Sequence, residues 1–325
     1  MDAFDFNPAD YRSAYQSRGY VHIAGGVSQP FLQYAQAFHR QCGADLPEFK
    51  FKGKKQQFLF EFPVSECLAG IKDMVASVTG LDRARLTLCE RHIKAYETSA
   101  KADPPPHKDR VASEVAVGLP LIVGEGSEVV IYPDDELTIN PFNSTALWRS
   151  SLDEEQLPEK VLAGKRSVSL NTQPGDVLMF RGSSLYHERK RAAGTVVLYL
   201  KFNAMRLDPL GEDDGTEPQR RSSLSLLEGS SDEQLLALRV EPSPRLHRIS
   251  RHYTRLHWKE QIQAYITGAK ELTLNEEELS LIKLADGKRT IGAILRMHGT
   301  PEPYLKQWAC TFRRLVRLQV LDLLD

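Results

Sequence analysis

The sequence predicts an α+β fold: an antiparallel barrel or double-sheet jelly roll, preceded by helices and followed by a small winged-helix-like unit. Three observations predict it. Short β-compatible runs separated by turn signals fill residues 85–203, the pattern of an all-β sandwich or barrel. The first 80 residues instead show apolar positions at helical spacing. The last fifty-odd residues carry three helical segments, the first of them capped, and a short terminal β element, a winged-helix pattern. The boundaries predicted are 1–207 for the barrel with its helices, 208–270 for a connection, and 271–325 for the terminal unit.

Taken in order, Asn7 to Arg18 predicts a helix, with Asn7 as N-cap and Pro8 in the first turn. Gly19 to Ala24 predicts a short strand closed by Gly25-Gly26. Ser28 caps a second helix to about Cys42, whose apolar positions are Phe31, Leu32, Ala35 and Phe38. Lys50 to Lys55 is a basic loop, and Gln57 to Phe62 a strand or packed loop. Ser65 to Thr79 predicts a third helix, stopped by Gly80. Arg85 to Tyr96 is a long strand. Glu114 to Val123 is apolar but interrupted by Gly118 and Pro120. Glu128 to Tyr132 is a strand ending at Pro133-Asp134-Asp135, a turn signal. Residues 134–165 are polar and predict an insertion, in which Trp148 and Arg149 are candidates for a substrate lid. Arg166 to Gln173 and Val177 to Phe180 are strands flanking the turn Pro174-Gly175-Asp176. Thr195 to Phe202 is the clearest strand of all.

Beyond Asp208 the composition becomes acidic and Gly/Pro-containing, as in an exposed connection. Arg245 to Lys259, with His247, His252, Tyr253, His257 and Trp258, reads as a solvated helix face; an acidic or phosphorylated partner is the alternative. Asn275 followed by Glu276-Glu277-Glu278 is a capped helix start matched to the helix dipole. Short helices follow from Thr290 and Pro301. Arg313, Arg314 and Arg317 are offset by the acidic residues of the same unit. That balance argues against nucleic acid as a partner.

Bulk properties narrow the function classes. With 325 residues, 41% hydrophobic and 26% charged, the chain is of ordinary globular composition. A formal net charge of -1 supplies no global field for nucleic acid or an anionic membrane. No apolar run approaches the roughly 18 residues of a membrane span. The acidic N-terminus lacks a signal-peptide core. The four cysteines are scattered without C-x-x-C spacing. A reducing cytoplasm, without disulfides or a zinc knuckle, is therefore expected.

The chemistry concentrates in His107-Lys108-Asp109, behind Pro104-Pro105-Pro106, and in His187 beyond the Val177–Phe180 run. Alternation along a strand puts His107 and Asp109 on one side and Lys108 on the other. Two imidazoles and one carboxylate form the facial triad of non-haem Fe(II) sites that activate oxygen. The prolines stiffen the approach to His107.

These residues resemble the Fe(II)/2-oxoglutarate-dependent oxygenase superfamily, most closely its phytanoyl-CoA-hydroxylase-like branch. The resemblance rests on Tyr11 to Ile23, on His107-x-Asp109, on Pro174 to Phe180 leading to His187, and on the strand Thr195 to Asn203. It covers roughly residues 8–207. It implies a double-stranded β-helix binding Fe(II) through His107, Asp109 and His187, with 2-oxoglutarate on the open face. It also implies molecular oxygen as co-substrate and hydroxylation as the default outcome. Asp109 stands where related halogenases have a small residue, which points to a hydroxylase. The family places an Arg on the strand after the second His to hold the far carboxylate of 2-oxoglutarate. Here that strand carries Lys201, the first choice for that role, with Arg206 beyond it as the alternative; Arg191 lies too near His187. A Lys cannot form the bidentate pair that an Arg makes. Tyr96 and Lys94, on the strand before the triad, are further pocket candidates, whereas Arg91 belongs to the opposite strand face.

Residues 272–291 resemble the winged-helix module of the peptide-binding chaperone of pyrroloquinoline quinone biosynthesis, and a ribosomal-protein hydroxylase also carries such a C-terminal module. The likeness implies a peptide or carrier-bound substrate, beside the small molecule that the oxygenase reading also allows, or a homodimer; a purely structural appendage is the plainer expectation. Two alternatives stand beside the oxygenase. One is a cupin-like metalloenzyme without 2-oxoglutarate. The other is a 2-oxoglutarate- or iron-sensing regulator whose winged helix binds a partner.

Overall fold

The computed structural model describes residues 1–42, 49–51, 55–100, 104–133, 138–254, 259–266 and 272–325. The chain divides into two compact units, Met1–Arg206 and Leu207–Asp325, each with its own apolar core.

In the first unit Asn7 accepts a hydrogen bond from the Ala9 amide, but the turn it opens, Pro8–Tyr11, is a 3-10 helix. Helix α1 (Arg12–Arg18) follows and ends at Gly19, whose φ of 78° only glycine adopts cheaply. Strand β1 (Tyr20–Ile23) precedes α2 (Gln29–Cys42), where Ser28 Oγ accepts from the Phe31 amide. Then come β2 (Phe49–Phe51), β3 (Lys55–Leu59) and α3 (Ser65–Thr79). The remaining strands are β4 (Thr87–Tyr96), β5 (Val115–Ile122), β6 (Glu128–Tyr132), β7 (Val168–Leu170), β8 (Val177–Phe180), β9 (Tyr186–Lys190) and β10 (Val196–Asn203). Two short helices, α4 (Thr145–Ser150) and α5 (Pro158–Val161), lie in the segment between β6 and β7.

These strands make two antiparallel sheets. One has the order β1-β8-β5-β10-β4-β3-β2, the other β7-β6-β9. From β5 to β10 the chain passes repeatedly between them, which is consistent with jelly-roll winding. Strand β5 is continuous despite Gly118 and Pro120. Pro120 lies beyond the last β8 partner, Gly118, and at a register shift against β10, so its missing N–H breaks no ladder with β8.

Period-two alternation sorts the large sheet. Val115, Val117, Leu119, Val177 and Met179 pack with Phe31, Leu32 and Ala35 of α2 and Ile71, Val75 and Val78 of α3. Full burial of each such aliphatic side chain contributes about 1.5–3 kcal/mol. The other face packs Ala116, Leu178 and Phe180 onto Val129 and Ile131 of the small sheet. On that inner face, away from the apolar end, β4 and β10 bring charged residues together: Lys201 is opposite Glu90, Tyr199 opposite His92, and Val197 opposite Lys94. Gly118 lies opposite Tyr199, and a Cβ there would stand 3.3 Å from the Tyr199 ring.

The second unit contains α6 (Thr216–Gly229), α7 (Asp232–Ala237), β11 (Arg239–Pro242), β12 (Leu246–Thr254), β13 (Lys259–Ile266) and β14 (Leu272–Leu274). It continues with α8 (Glu276–Leu284), α9 (Ile291–Met297), a 3-10 stretch Glu302–Trp308, α10 (Ala309–Arg317) and β15 (Leu321–Leu324). Residues 208–270, read from sequence as a connection, contribute Leu227, Leu235, Val240 and Ile262 to the same core as Leu279, Ile294, Phe312 and Leu321. Strand β15 pairs with β11 from that earlier segment, so the terminal fifty residues do not close a core alone. The described part of the Arg245–Lys259 run is not a helix face: Leu246–Thr254 forms β12, paired antiparallel with β13, which begins at Lys259. Ile249 and Ala264 share the core side, while Ser250 and Gln263 take the other. That period of two was masked by the Arg and His residues between; His257 and Trp258 lie outside the described residues. Asn275 and Glu278 form the capping box expected at α8. Arg313 donates to the Leu227 and Ser230 carbonyls, and Arg314 to Glu278. Among the described residues, no helix is long and apolar enough to cross a membrane.

Candidate metal centre and its cavity

His107 and His187 meet across an isolated antiparallel bridge. Each backbone amide donates to the other residue's carbonyl, at 3.0 Å both ways. The side chains of such a pair leave the ladder on the same side, and the two ring centroids are 4.5 Å apart. Asp109, two residues on, shares that side, and its amide is fixed by the Gly182 carbonyl at 2.8 Å. A Cβ on Gly182 would stand 2.8 Å from Asp109 Oδ2 and 2.6 Å from the Ser113 carbonyl, so the glycine leaves the carboxylate its space. One donor atom each from His107, Asp109 and His187 lies within 4.8 Å of the other two.

The protonation pattern suits a cation. His107 Nδ1–H donates to the Pro105 carbonyl at 2.8 Å, and His187 Nδ1–H to the Leu185 carbonyl at 3.0 Å. Both rings therefore present a bare Nε2, the orientation that carbonyl acceptors on Nδ1–H impose on metal-binding histidines. Burial lowers the pKa of His107 and takes that of His187 to about 3, so both are neutral at pH 7. Burial opposes ionisation of Asp109, but the Lys201 charge and the two imidazoles outweigh it and hold the carboxyl well below its usual range. Two neutral imidazoles and one anion fit a divalent first-row metal such as Fe(II).

Lys108 points away from the triad, as strand alternation requires. It is buried, donates to the Thr138 carbonyl at 2.7 Å, and stands 4.5 Å from the Tyr186 ring centroid. Asn140 donates to the Asp109 carbonyl and Thr145 to the Lys108 carbonyl. The segment between β6 and β7 is thus anchored on the backbone of the triad itself. Trp148 and Arg149 lie in it on α4; Arg149 pairs with Glu159 at 2.9 Å, and neither lines the cavity.

The triad opens on a cavity of about 80 Å³, lined also by Lys94, Tyr96, Phe180, Arg189, Tyr199 and Lys201. That room is enough for several waters, each needing about 10–15 Å³ by this measure. Behind it runs a buried charge network. Lys201 Nζ donates to Asp109 Oδ1 at 2.8 Å and stands 3.7 Å from Glu90. Glu90 also receives Lys94 and Arg110, each at 2.6 Å.

Of the residues singled out from sequence, the structure brings together His107, Asp109, His187, Lys201, Lys94 and Tyr96. Arg206 is not among them: it is exposed, beyond the end of β10, with a φ of 60°. Arg191 bonds the Gly126 carbonyl and Glu128 at the surface, and Arg91 pairs with Glu61 on the other face of β4. Glu90, Arg110 and Arg189 join the group around the triad without belonging to any of the sequence motifs. Arg189 was findable, because it lies two residues after His187 on the same strand and so on the same face. Asp176, part of the turn motif, is structural: its carboxylate accepts from the Gln173 and Gly25 amides and from His22.

No protein-family model matches the chain, and the comparison with curated proteins yields no match. Among solved structures the chain is similar to the non-heme alpha ketoglutarate dependent epimerase SnoN from nogalamycin biosynthesis, at 14% identity and a TM-score of 0.46, covering 60% of this chain and 82% of that one. It is also similar to a prolyl-4-hydroxylase from Pseudomonas putida, at 14% identity and a TM-score of 0.42, covering 61% and 98%. A third is HygX from Streptomyces hygroscopicus with nickel and 2-oxoglutarate bound, at 14% identity and a TM-score of 0.41, covering 61% and 88%. Of these three similar structures, one is an alpha ketoglutarate dependent epimerase, one a prolyl hydroxylase, and one holds nickel and 2-oxoglutarate.

Proposed function

We propose that this chain is a non-haem Fe(II)/2-oxoglutarate-dependent oxygenase that hydroxylates an unactivated C–H bond of a small molecule or of an amino-acid or peptide substrate. The observation that carries this is the bridged pair His107–His187 with Asp109 beside it, opening on a small cavity that holds buried cations. His107 and His187 would donate Nε2 to the metal, with the Pro105 and Leu185 carbonyls holding the rings in that tautomer. Asp109 would complete one face and leave the opposite face to a chelating keto acid and oxygen. Bound iron supplies the redox chemistry in which oxygen, 2-oxoglutarate and a C–H bond become succinate, carbon dioxide and a C–OH bond.

The chain's own residues do the rest. Tyr96, Tyr199 and Phe180 wall the cavity and keep water from the reacting atoms. Lys201 keeps Asp109 ionised and aimed. The segment anchored by Asn140 and Thr145 borders the triad, where a substrate would enter.

The test is an anaerobic titration of Fe(II)-loaded protein with 2-oxoglutarate. A weak visible charge-transfer band, lost in His187→Ala, is the expected result. Bound iron with no band would refute the 2-oxoglutarate assignment and favour the cupin-like alternative.

A further inference from the structure

We propose that Arg189 receives the far carboxylate of 2-oxoglutarate, and that Lys201 is instead a positioning residue for Asp109. This rests on the oxygenase function above and deepens it.

Three cations reach the cavity, and their partners separate them. Lys94 is paired with Glu90 at 2.6 Å. Lys201 is paired with Asp109 at 2.8 Å, with Glu90 at 3.7 Å. Arg189 is only 5% exposed, yet among the described residues its side-chain partners are two hydroxyls. Nη1 donates to Ser127 Oγ at 3.2 Å and Nη2 to Tyr199 Oη at 3.3 Å, both long contacts. Its Nε is buried and makes no hydrogen bond. A buried guanidinium without an anion is costly. A carboxylate entering the cavity would supply the missing charge through the two-pronged contact that Arg makes best.

The spacing agrees. His187 and Arg189 are two residues apart on β9, about 6.6 Å along the strand and on one face. In 2-oxoglutarate two methylenes separate the chelating keto acid from the far carboxylate, a span of about 5 Å at ordinary bond lengths. A keto acid held beside His187 would therefore bring its far end to Arg189. Lys201 lies too close to the metal-binding atoms for that role, since it touches Asp109 itself. Tyr199, opposite Gly118, orients the guanidinium from the facing sheet.

The experiment compares 2-oxoglutarate with 2-oxopentanoate, which has the same chelating head and no far carboxylate. Both are titrated anaerobically into Fe(II)-loaded protein, and binding is read from the charge-transfer band rather than from turnover. The wild type is expected to prefer the dicarboxylate by about 100-fold or more, as sites with a committed polar partner do. Arg189→Met should bring the two within about tenfold while leaving 2-oxopentanoate binding near the wild-type value. Arg189→Lys, which keeps the buried charge and so guards against misfolding, should lose at least about tenfold of the preference. Lys201→Met should keep the preference. A preference that survives in both Arg189 variants, or one that vanishes in Lys201→Met, overturns the assignment. So does a wild type that binds both acids equally. A wild type that shows no band with either acid overturns the oxygenase function itself, a result distinct from the others.

Discussion

Lys201→Met should destabilise the metal-free protein far more than the metal-loaded one. Lys201 Nζ stands 2.8 Å from Asp109 and 3.7 Å from Glu90, with all three side chains buried. At an effective dielectric of about 20, the shorter contact is worth about 6 kcal/mol before desolvation is subtracted. Breaking such a buried set by removing one partner costs about 3–5 kcal/mol, because it strands a charge. The stranded charge is identifiable. Glu90 keeps Lys94 and Arg110, so the bare anion in the variant is Asp109. A divalent cation held by Asp109, His107 and His187 would restore the missing counter-charge. Urea unfolding of wild type and variant, each with chelator and with saturating metal, measures both differences at matched slope. A loss of about 3–5 kcal/mol with chelator, mostly recovered with metal, is expected. Equal losses under the two conditions would refute the charge argument, and so would no loss with chelator.

Other outcomes follow from the same geometry. His107→Ala and Asp109→Ala should each abolish iron retention after desalting, whereas Cys89→Ser should keep it; full retention in both triad variants would sink the metal site. His92 is buried, and burial takes its pKa to about 4. The unfolded imidazole takes up its proton near pH 6.5 while the folded one does not. The stability it contributes is therefore present above pH 6.5 and lost as pH falls toward 4, by about 2 kcal/mol between pH 7 and 5. Unfolding of wild type and His92→Gln at both pH values should show the variant's pH dependence reduced by about that amount. Asp176→Ala removes an acceptor shared by two backbone amides and His22. A stability loss of about 2–3 kcal/mol with iron binding retained is expected, from denaturant curves and metal analysis together.

Much of the first unit was legible because its signals are local. A side chain that caps a helix acts within three residues, so Ser28 could be read directly, as could Asn275 in the second unit. Gly80 ends α3 through its own backbone freedom, with a φ of 79°. Val177–Phe180 and the strand around Leu198 show as continuous apolar runs because both faces are covered. Where local signals compete, the sequence misled. The Arg and His residues of β12 hid its alternation, and pairing with β13 decided the outcome. The 208–270 segment looked like a connection because it is polar overall, yet its sparse apolar residues are those that meet α8, α9 and α10.

Spacing alone singled out the three candidate metal ligands, His107, Asp109 and His187, and the strand faces that carry them. His-x-Asp alternation and a second His beyond a buried strand are properties of spacing, and period two is built into an extended chain. The sequence equally contained the face shared by His187 and Arg189. Which charge meets which depends instead on how the sheets come together. Lys201 and Arg189 are both cations at the cavity, and sequence does not say which of them already has an anion beside it. The register of β10 against β4 and β5 brings Lys201 opposite Glu90 and within reach of Asp109, while Arg189 on the facing sheet, among the described residues, meets the hydroxyls of Ser127 and Tyr199. Alternation specifies the side from which a residue points, but the partner across the gap depends on register and sheet packing between strands far apart in sequence.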